Sequence, residues 1–149
     1  MPILGIFSFN RKYFMYKTNY TILTNREELS YTGNPVRVDF YSGVTQNLHT
    51  VSATVSDFIG RIYIEATLNS DTNADEWFPI YLTSGTPYKQ YPINSNNPTE
   101  INGGDSITEG FTFRANILYI RARVDRSYLN DTVYDPAVHG RVTKILLNI

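Results

Sequence analysis

Three observations predict an all-β chain, an antiparallel β-sandwich of jelly-roll or Greek-key type with an aromatic arm at its amino terminus. Apolar residues recur with period 2 in short runs, Gly, Pro and Asn clusters separate those runs, and no segment longer than a turn or two carries a 3.6-residue apolar stripe. Helices should therefore be few. At 149 residues and 42% hydrophobic, the chain is long enough to bury one sizeable core, and nothing in its composition marks a second domain. No cysteine is present, so packing rather than disulfides or thiolate metal sites has to hold the fold together.

Residues 1–30 differ in character from the rest and are read as an N-terminal arm or edge element, with a single sandwich domain over 31–149. Phe7, Phe9, Tyr13, Phe14, Tyr16 and Tyr20 crowd there, and Arg26-Glu27-Glu28-Leu29 interrupts any strand. So aromatic a terminus is expected either to fold back over its own sandwich or to dock on a neighbouring subunit. Phe7, Phe9, Tyr13, Phe14 and Tyr16 are the partner-binding candidates. The first ten residues are apolar but short, with Arg11 and Lys12 only after them, the wrong order for a secretory signal. No run approaches the roughly 20 apolar residues of a membrane helix. The expectation is a soluble chain that is not exported by a cleaved peptide.

From Tyr31 the pattern becomes regular. Val36, Val38 and Phe40 alternate with Arg37, Asp39 and Tyr41 before the Ser42-Gly43 turn, which predicts a strand over 35–41. Val51, Ala53 and Val55 alternate with Thr50, Ser52, Thr54 and Ser56 in a second strand. Gly60 to Leu68 and Trp77 to Leu82 then form a long-looped hairpin, with Ile62, Ile64, Ala66 and Leu68 inward and Arg61, Tyr63, Glu65 and Thr67 outward. Residues 84–110 are dense in breakers and read as a long interaction loop containing short extended pieces. Leu118, Ile120, Ala122 and Val124 supply another inward row, 125–140 a second loop, and Ile145, Leu147 and Ile149 the last strand. Val142 is out of phase with that row, which predicts a bulge near Thr143.

Thirteen Lys and Arg against fourteen Asp and Glu give a net charge of −1, which argues against a nucleic-acid surface. Asn69, Asp71, Asn73 and Asp75 alternate like the first oxygens of a calcium loop, but neither its Gly nor its closing Glu is in place, so a solvated Asn/Asp turn is the better reading. His49 and His139 belong to no metal or hydrolase spacing, and no G-x-S-x-G elbow occurs. Glu65 and Asp39 on an outer face are read as solvated acids rather than a glycosidase pair. The lone Trp77 is expected in the core, with Tyr63, Tyr81 and Tyr119 at the surface. Arg121, Arg123 and Arg126, with Arg114 nearby, are read as a basic row paired across strands with acids such as Glu65. Tyr88 and Tyr91 are candidate glycan contacts.

The series Ser56-Asp57-Phe58-Ile59-Gly60-Arg61-Ile62-Tyr63-Ile64-Glu65-Ala66-Thr67-Leu68, a polar loop, Glu76-Trp77-Phe78-Pro79-Ile80, and later Phe113-Arg114-Ala115-Asn116-Ile117-Leu118-Tyr119-Ile120-Arg121-Ala122-Arg123-Val124 with a final Gly140-Arg141-Val142-Thr143 strand resembles small β-sandwich domains of tailed-bacteriophage virion proteins. The similarity covers roughly residues 50–149. It implies a virion-located, non-enzymatic structural component of the head surface, neck, tail or baseplate. The implied partners are other virion proteins and further copies of the chain, with no cofactor, nucleic acid or membrane. The competing expectation is a carbohydrate-binding adhesion module that contacts the host surface.

Overall fold

The computed structural model describes residues 19–39, 47–93 and 103–149. Ten strands follow in order: β1 (Asn19–Thr24), β2 (Ser30–Thr32), β3 (Val36–Arg37), β4 (Leu48–Phe58), β5 (Gly60–Thr67), β6 (Phe78–Ile80), β7 (Lys89–Tyr91), β8 (Asp105–Arg114), β9 (Tyr119–Asp125) and β10 (Arg141–Asn148). A 3₁₀ turn at Ser127–Leu129 and a one-turn helix α1 (Pro136–His139) lie between β9 and β10. Among the described residues no helix is long and apolar enough to cross a membrane.

The strands form two antiparallel sheets. Sheet A runs β1-β10-β4-β8, and sheet B runs β2-β9-β5-β6, with β3 extending the β2 row and β7 the β6 row. Counted as eight rows in chain order, the sheets read 1-8-3-6 and 2-7-4-5, the order of a jelly roll. Every connection between successive rows crosses from one sheet to the other except the β5–β6 hairpin, where the roll turns back. The hairpin on which the sequence pattern centres is thus the fold's reversal point.

The core lies between the sheets, and period 2 explains it. Val51, Ala53 and Val55 of β4, Ile62, Ile64 and Ala66 of β5, and Ile120, Ala122 and Val124 of β9 all face inward and are buried in one cluster. The expected bulge in β10 falls between Val142 and Lys144 and turns both Val142 and Ile145 inward. A similar shift in β1 between Thr21 and Leu23 buries the consecutive Ile22 and Leu23.

Several expectations change in detail. Asn19–Thr24 is an edge strand of sheet A, so this part of 1–30 belongs to the sandwich; Phe7, Phe9, Tyr13, Phe14 and Tyr16 lie outside the described residues. Of the strand expected over 35–41, Val36–Arg37 pairs with β9 and Val38 is buried as its parity requires, while residues 40 and 41 lie outside the described residues. β7 is one of the short extended pieces expected within 84–110, but β8 begins at Asp105 and takes the end of that stretch into sheet A; residues 94–102 lie outside the described residues. Leu68 is exposed because β5 ends at Thr67, before the apolar row can continue.

Candidate functional site

The richest surface of the molecule is the outer face of sheet B. Register places Arg61 opposite Asp125, Tyr63 opposite Arg123, Glu65 opposite Arg121 and Thr67 opposite Tyr119 across the central strands β5 and β9. Because successive side chains alternate, all eight project away from the core. The result is a continuous ladder. The Arg61 guanidinium carbon lies 4.0 Å from the Tyr128 ring centroid and 4.4 Å from that of Tyr88, so the cation is held between two rings. Tyr88 meets Tyr63 at 5.5 Å, and the Arg123 guanidinium sits 3.9 Å over Tyr63.

Glu65 joins the two halves of the ladder. Its Oε1 accepts from Arg121 Nε at 2.8 Å and its Oε2 from Arg123 Nε at 3.1 Å. Arg121 in turn lies 4.0 Å over the Trp77 ring. The cross-strand pairing expected for Arg121 and Arg123 is therefore present, and it buries Glu65 although Glu65 occupies an outward position. Glu65→Ala should leave two adjacent guanidiniums without their shared carboxylate and lower stability by about 2 kcal/mol, since both arginines retain partial access to water. Urea denaturation reads this directly. A loss below about 0.5 kcal/mol would place Glu65 among ordinary surface positions.

Trp77 is not in the core. It stands half-buried on this outer face, its indole N–H donating to the Thr72 carbonyl at 3.4 Å. The pairing Phe78↔Ala66 explains why: one residue earlier in the chain, the side chain turns to the opposite face. Arg126 is also misplaced by the basic-row reading, because it is fully buried rather than exposed. Tyr91 is buried too, its hydroxyl donating to Glu109 at 2.7 Å, so of the two glycan candidates only Tyr88 lies in the outer ladder.

Local electrostatics follow from this packing. Burial pushes the Tyr128 phenol up to about 12 against the opposing pull of the Arg61 cation. Its hydroxyl is buried without a hydrogen-bond partner among the described residues. At Asp125 burial alone would raise the carboxyl. Hydrogen bonds from the Ser127 hydroxyl and amide and the Ser30 hydroxyl, together with the Arg123 charge, hold it below the usual carboxylate range.

Most of the remaining candidates are engaged with their own neighbourhood. Asn69 Oδ1 accepts from the Asp71 amide and Asp71 Oδ1 from the Asn73 amide, so the first two of the four alternating residues close successive Asx turns. Asp75, the fourth, is exposed, and no group of three His, Cys, Asp or Glu suited to a metal occurs among the described residues. His139 is buried, its Nε2 2.7 Å from Asp131 Oδ2 and its Nδ1 accepting from the Asp135 amide at 2.9 Å. Nδ1 also lies 3.1 Å from the Asp135 carbonyl. Both ring nitrogens are occupied in closing the β9–β10 loop, and Tyr134 stacks on the ring. Asp39 forms a two-point pair with Arg37, while Glu65 is held by Arg121 and Arg123.

Arg61 is the residue of this face that no sequence motif marks. Period 2 puts it outward, but only the fold brings Tyr88 and Tyr128, from two different loops, onto either side of it. Compared with known proteins, the chain matches no family model, no curated protein and no solved structure.

Proposed function

We propose that the chain is a non-enzymatic structural protein of a tailed-phage virion, a rigid jelly roll that joins other virion proteins and further copies of itself through its aromatic arm and the outer face of sheet B. The observation that carries this reading is the ladder Tyr128, Arg61, Tyr88, Tyr63, Arg123, Glu65, Arg121 and Trp77. Trp, Tyr and Arg are the side chains that dominate binding at protein interfaces, and here they are already fixed by one another, so little side-chain freedom is lost on docking. The jelly roll adds support at the level of architecture only, being common to viral capsid and lectin domains. Immunogold labelling of purified particles with antibodies to this chain should give a fixed, repeated position. Particles that contain no stoichiometric copy of the chain would refute the virion reading.

Trp77 favours a second reading. A half-buried indole on the same outer face as Tyr63 and Tyr88 suits a sugar ring, as in a carbohydrate-binding adhesion module. On a glycan array, specific binding that is lost in Trp77→Ala would favour adhesion, and silence would favour the structural role.

A further inference from the structure

We propose that the open edge of β8 accepts residues 2–18 of a second copy as an added strand; this rests on the reading of the arm as an assembly element and names the surface it docks on. Among the described residues four rows end the two sheets, and three are blunted in ways that discourage pairing. β1 carries a bulge between Thr21 and Leu23, the β2/β3 row is split into pieces of three and two residues, and the β6/β7 row into two pieces of three. β8 is different. It runs for ten residues, keeps regular register with β4 from Ile107 to Arg114, and contains neither Pro nor Lys.

The direction of its backbone groups can be deduced. The Ala115 amide donates to the Asn47 carbonyl at 3.1 Å, on the register that pairs Leu48 with Arg114. In an antiparallel ladder alternate residues face the partner strand, so Phe113, Phe111 and Glu109 bond toward β4. Thr108, Gly110 and Thr112 consequently turn their N–H and C=O groups to the open edge, where no described strand meets them. That is the template used in strand addition, in which backbone hydrogen bonds supply affinity and alternate side chains supply specificity.

The flank beside this edge is incompletely covered. Phe111 and Phe113 share the inward parity yet stay half-buried, and Ile107 is 40% exposed, whereas their β4 neighbours Val51 and Val55 are buried. An incoming strand with one apolar face would cover them. Within the 18 residues ahead of β1, Phe7 and Phe9 alternate with Ser8 and Asn10, a short run of that pattern, before Arg11 and Lys12 interrupt it. β1 and β8 lie at opposite edges of sheet A. To reach its own β8 the arm would have to cross the hydroxyl-rich outer face of Thr50, Ser52 and Thr54, a poor surface for aromatic side chains. Addition to a neighbour needs no crossing. It makes a head-to-tail contact that continues sheet A from copy to copy, closing into a ring or extending as a filament.

The chain has no cysteine, which permits a direct test. A full-length Ser8→Cys preparation is mixed with a Thr112→Cys preparation and treated with a short bismaleimide. The expected result is a crosslinked pair at twice 17.1 kDa with the arm and β8 peptides joined. Adding Gly110→Pro to the Thr112→Cys chain should reduce that product at least tenfold, because the Gly110 amide makes no bond to β4 and a proline there blocks only the outer edge. Thr108→Pro serves equally if Gly110→Pro fails to fold by circular dichroism. Absence of the mixed crosslink, or its persistence in the proline variant, overturns the proposal. So does efficient crosslinking within one doubly substituted chain at high dilution, which would mean that the arm covers its own edge. Light scattering separates the two layers of the argument: association that survives deletion of residues 2–18 removes the arm reading itself. Association lost on that deletion but kept in Gly110→Pro removes only β8 as the acceptor.

Discussion

Replacing Arg126 by alanine is expected to cost about 3–5 kcal/mol and to lower the melting temperature by roughly 10 °C, from the combined loss of packing and buried hydrogen bonds. Arg126 is the largest of the fully buried side chains. Its Nη1 donates to the Glu28 carbonyl at 2.9 Å and its Nη2 to the Gly140 carbonyl at 3.3 Å, while its guanidinium carbon lies 4.9 Å from the Phe58 ring centroid and 5.1 Å from that of Tyr134. One side chain thereby ties the β1–β2 linker, the β4–β5 corner and the start of β10. No carboxylate is among these partners, and burial lowers the guanidinium below its ordinary value. Carbonyl dipoles and ring faces do the work of a counter-ion. Truncation leaves the Glu28 carbonyl without its donor, whereas the Gly140 carbonyl keeps the Tyr134 hydroxyl at 2.7 Å. Arg126→Met refills most of the volume without donors or charge, so it should recover about half of the loss. Urea denaturation of the two variants checks both points. A loss under about 1 kcal/mol in Arg126→Ala would mean that the cation's desolvation cancels its contacts.

Arg126 also shows how far period 2 reaches and where residue type misleads. Along β9 the inward residues are Ile120, Ala122 and Val124, and continuing the count places residue 126 inward. Charge suggests the opposite, and a reading by residue type follows the charge. Where both signals agree, as in β4, β5 and β9, the inward rows are legible in the sequence alone, and so is the bulge in β10. Trp77 is not legible in the same way. Its face depends on which residue of β5 pairs with Phe78, and an eight-residue polar turn leaves that register open. The ladder on sheet B is half legible: parity marks Arg61, Tyr63, Arg121 and Arg123 as outward, but it carries no information on loop residues such as Tyr88 and Tyr128. Tyr91 fails for a related reason, since its segment reads as loop, and only pairing with Gly60 draws it into the core as β7.

Gly140→Ala should be the most damaging of the small substitutions, at about 3 kcal/mol or more, because strain and collision act together. Gly140 has φ 62° and ψ −155°, a conformation that is nearly restricted to glycine. A Cβ there would stand 1.9 Å from the Asp57 carbonyl oxygen and 2.5 Å from that of Ser56. These are backbone atoms at the end of β4, so no side chain can rotate away. Gly104 also approaches Asp57 from another segment, its Cβ position 2.3 Å from the same carbonyl, and Asp57 is itself left-handed at φ 48°. In the sequence these glycines are separate turn signals; in the fold they converge on one residue and let β8 and β10 start beside the end of β4. Gly85→Ala provides the control. Gly85 also has a positive φ, 88°, but nothing lies within 4 Å of its Cβ position, so it should show the strain alone, about 1 kcal/mol. The excess of Gly140→Ala over Gly85→Ala in urea denaturation measures the collision. Equal losses would show that the end of β4 yields easily. The same displacement would disturb the register of β4 with β8, so Gly140→Ala should also weaken self-association through the β8 edge, whereas Gly85→Ala should leave it unchanged.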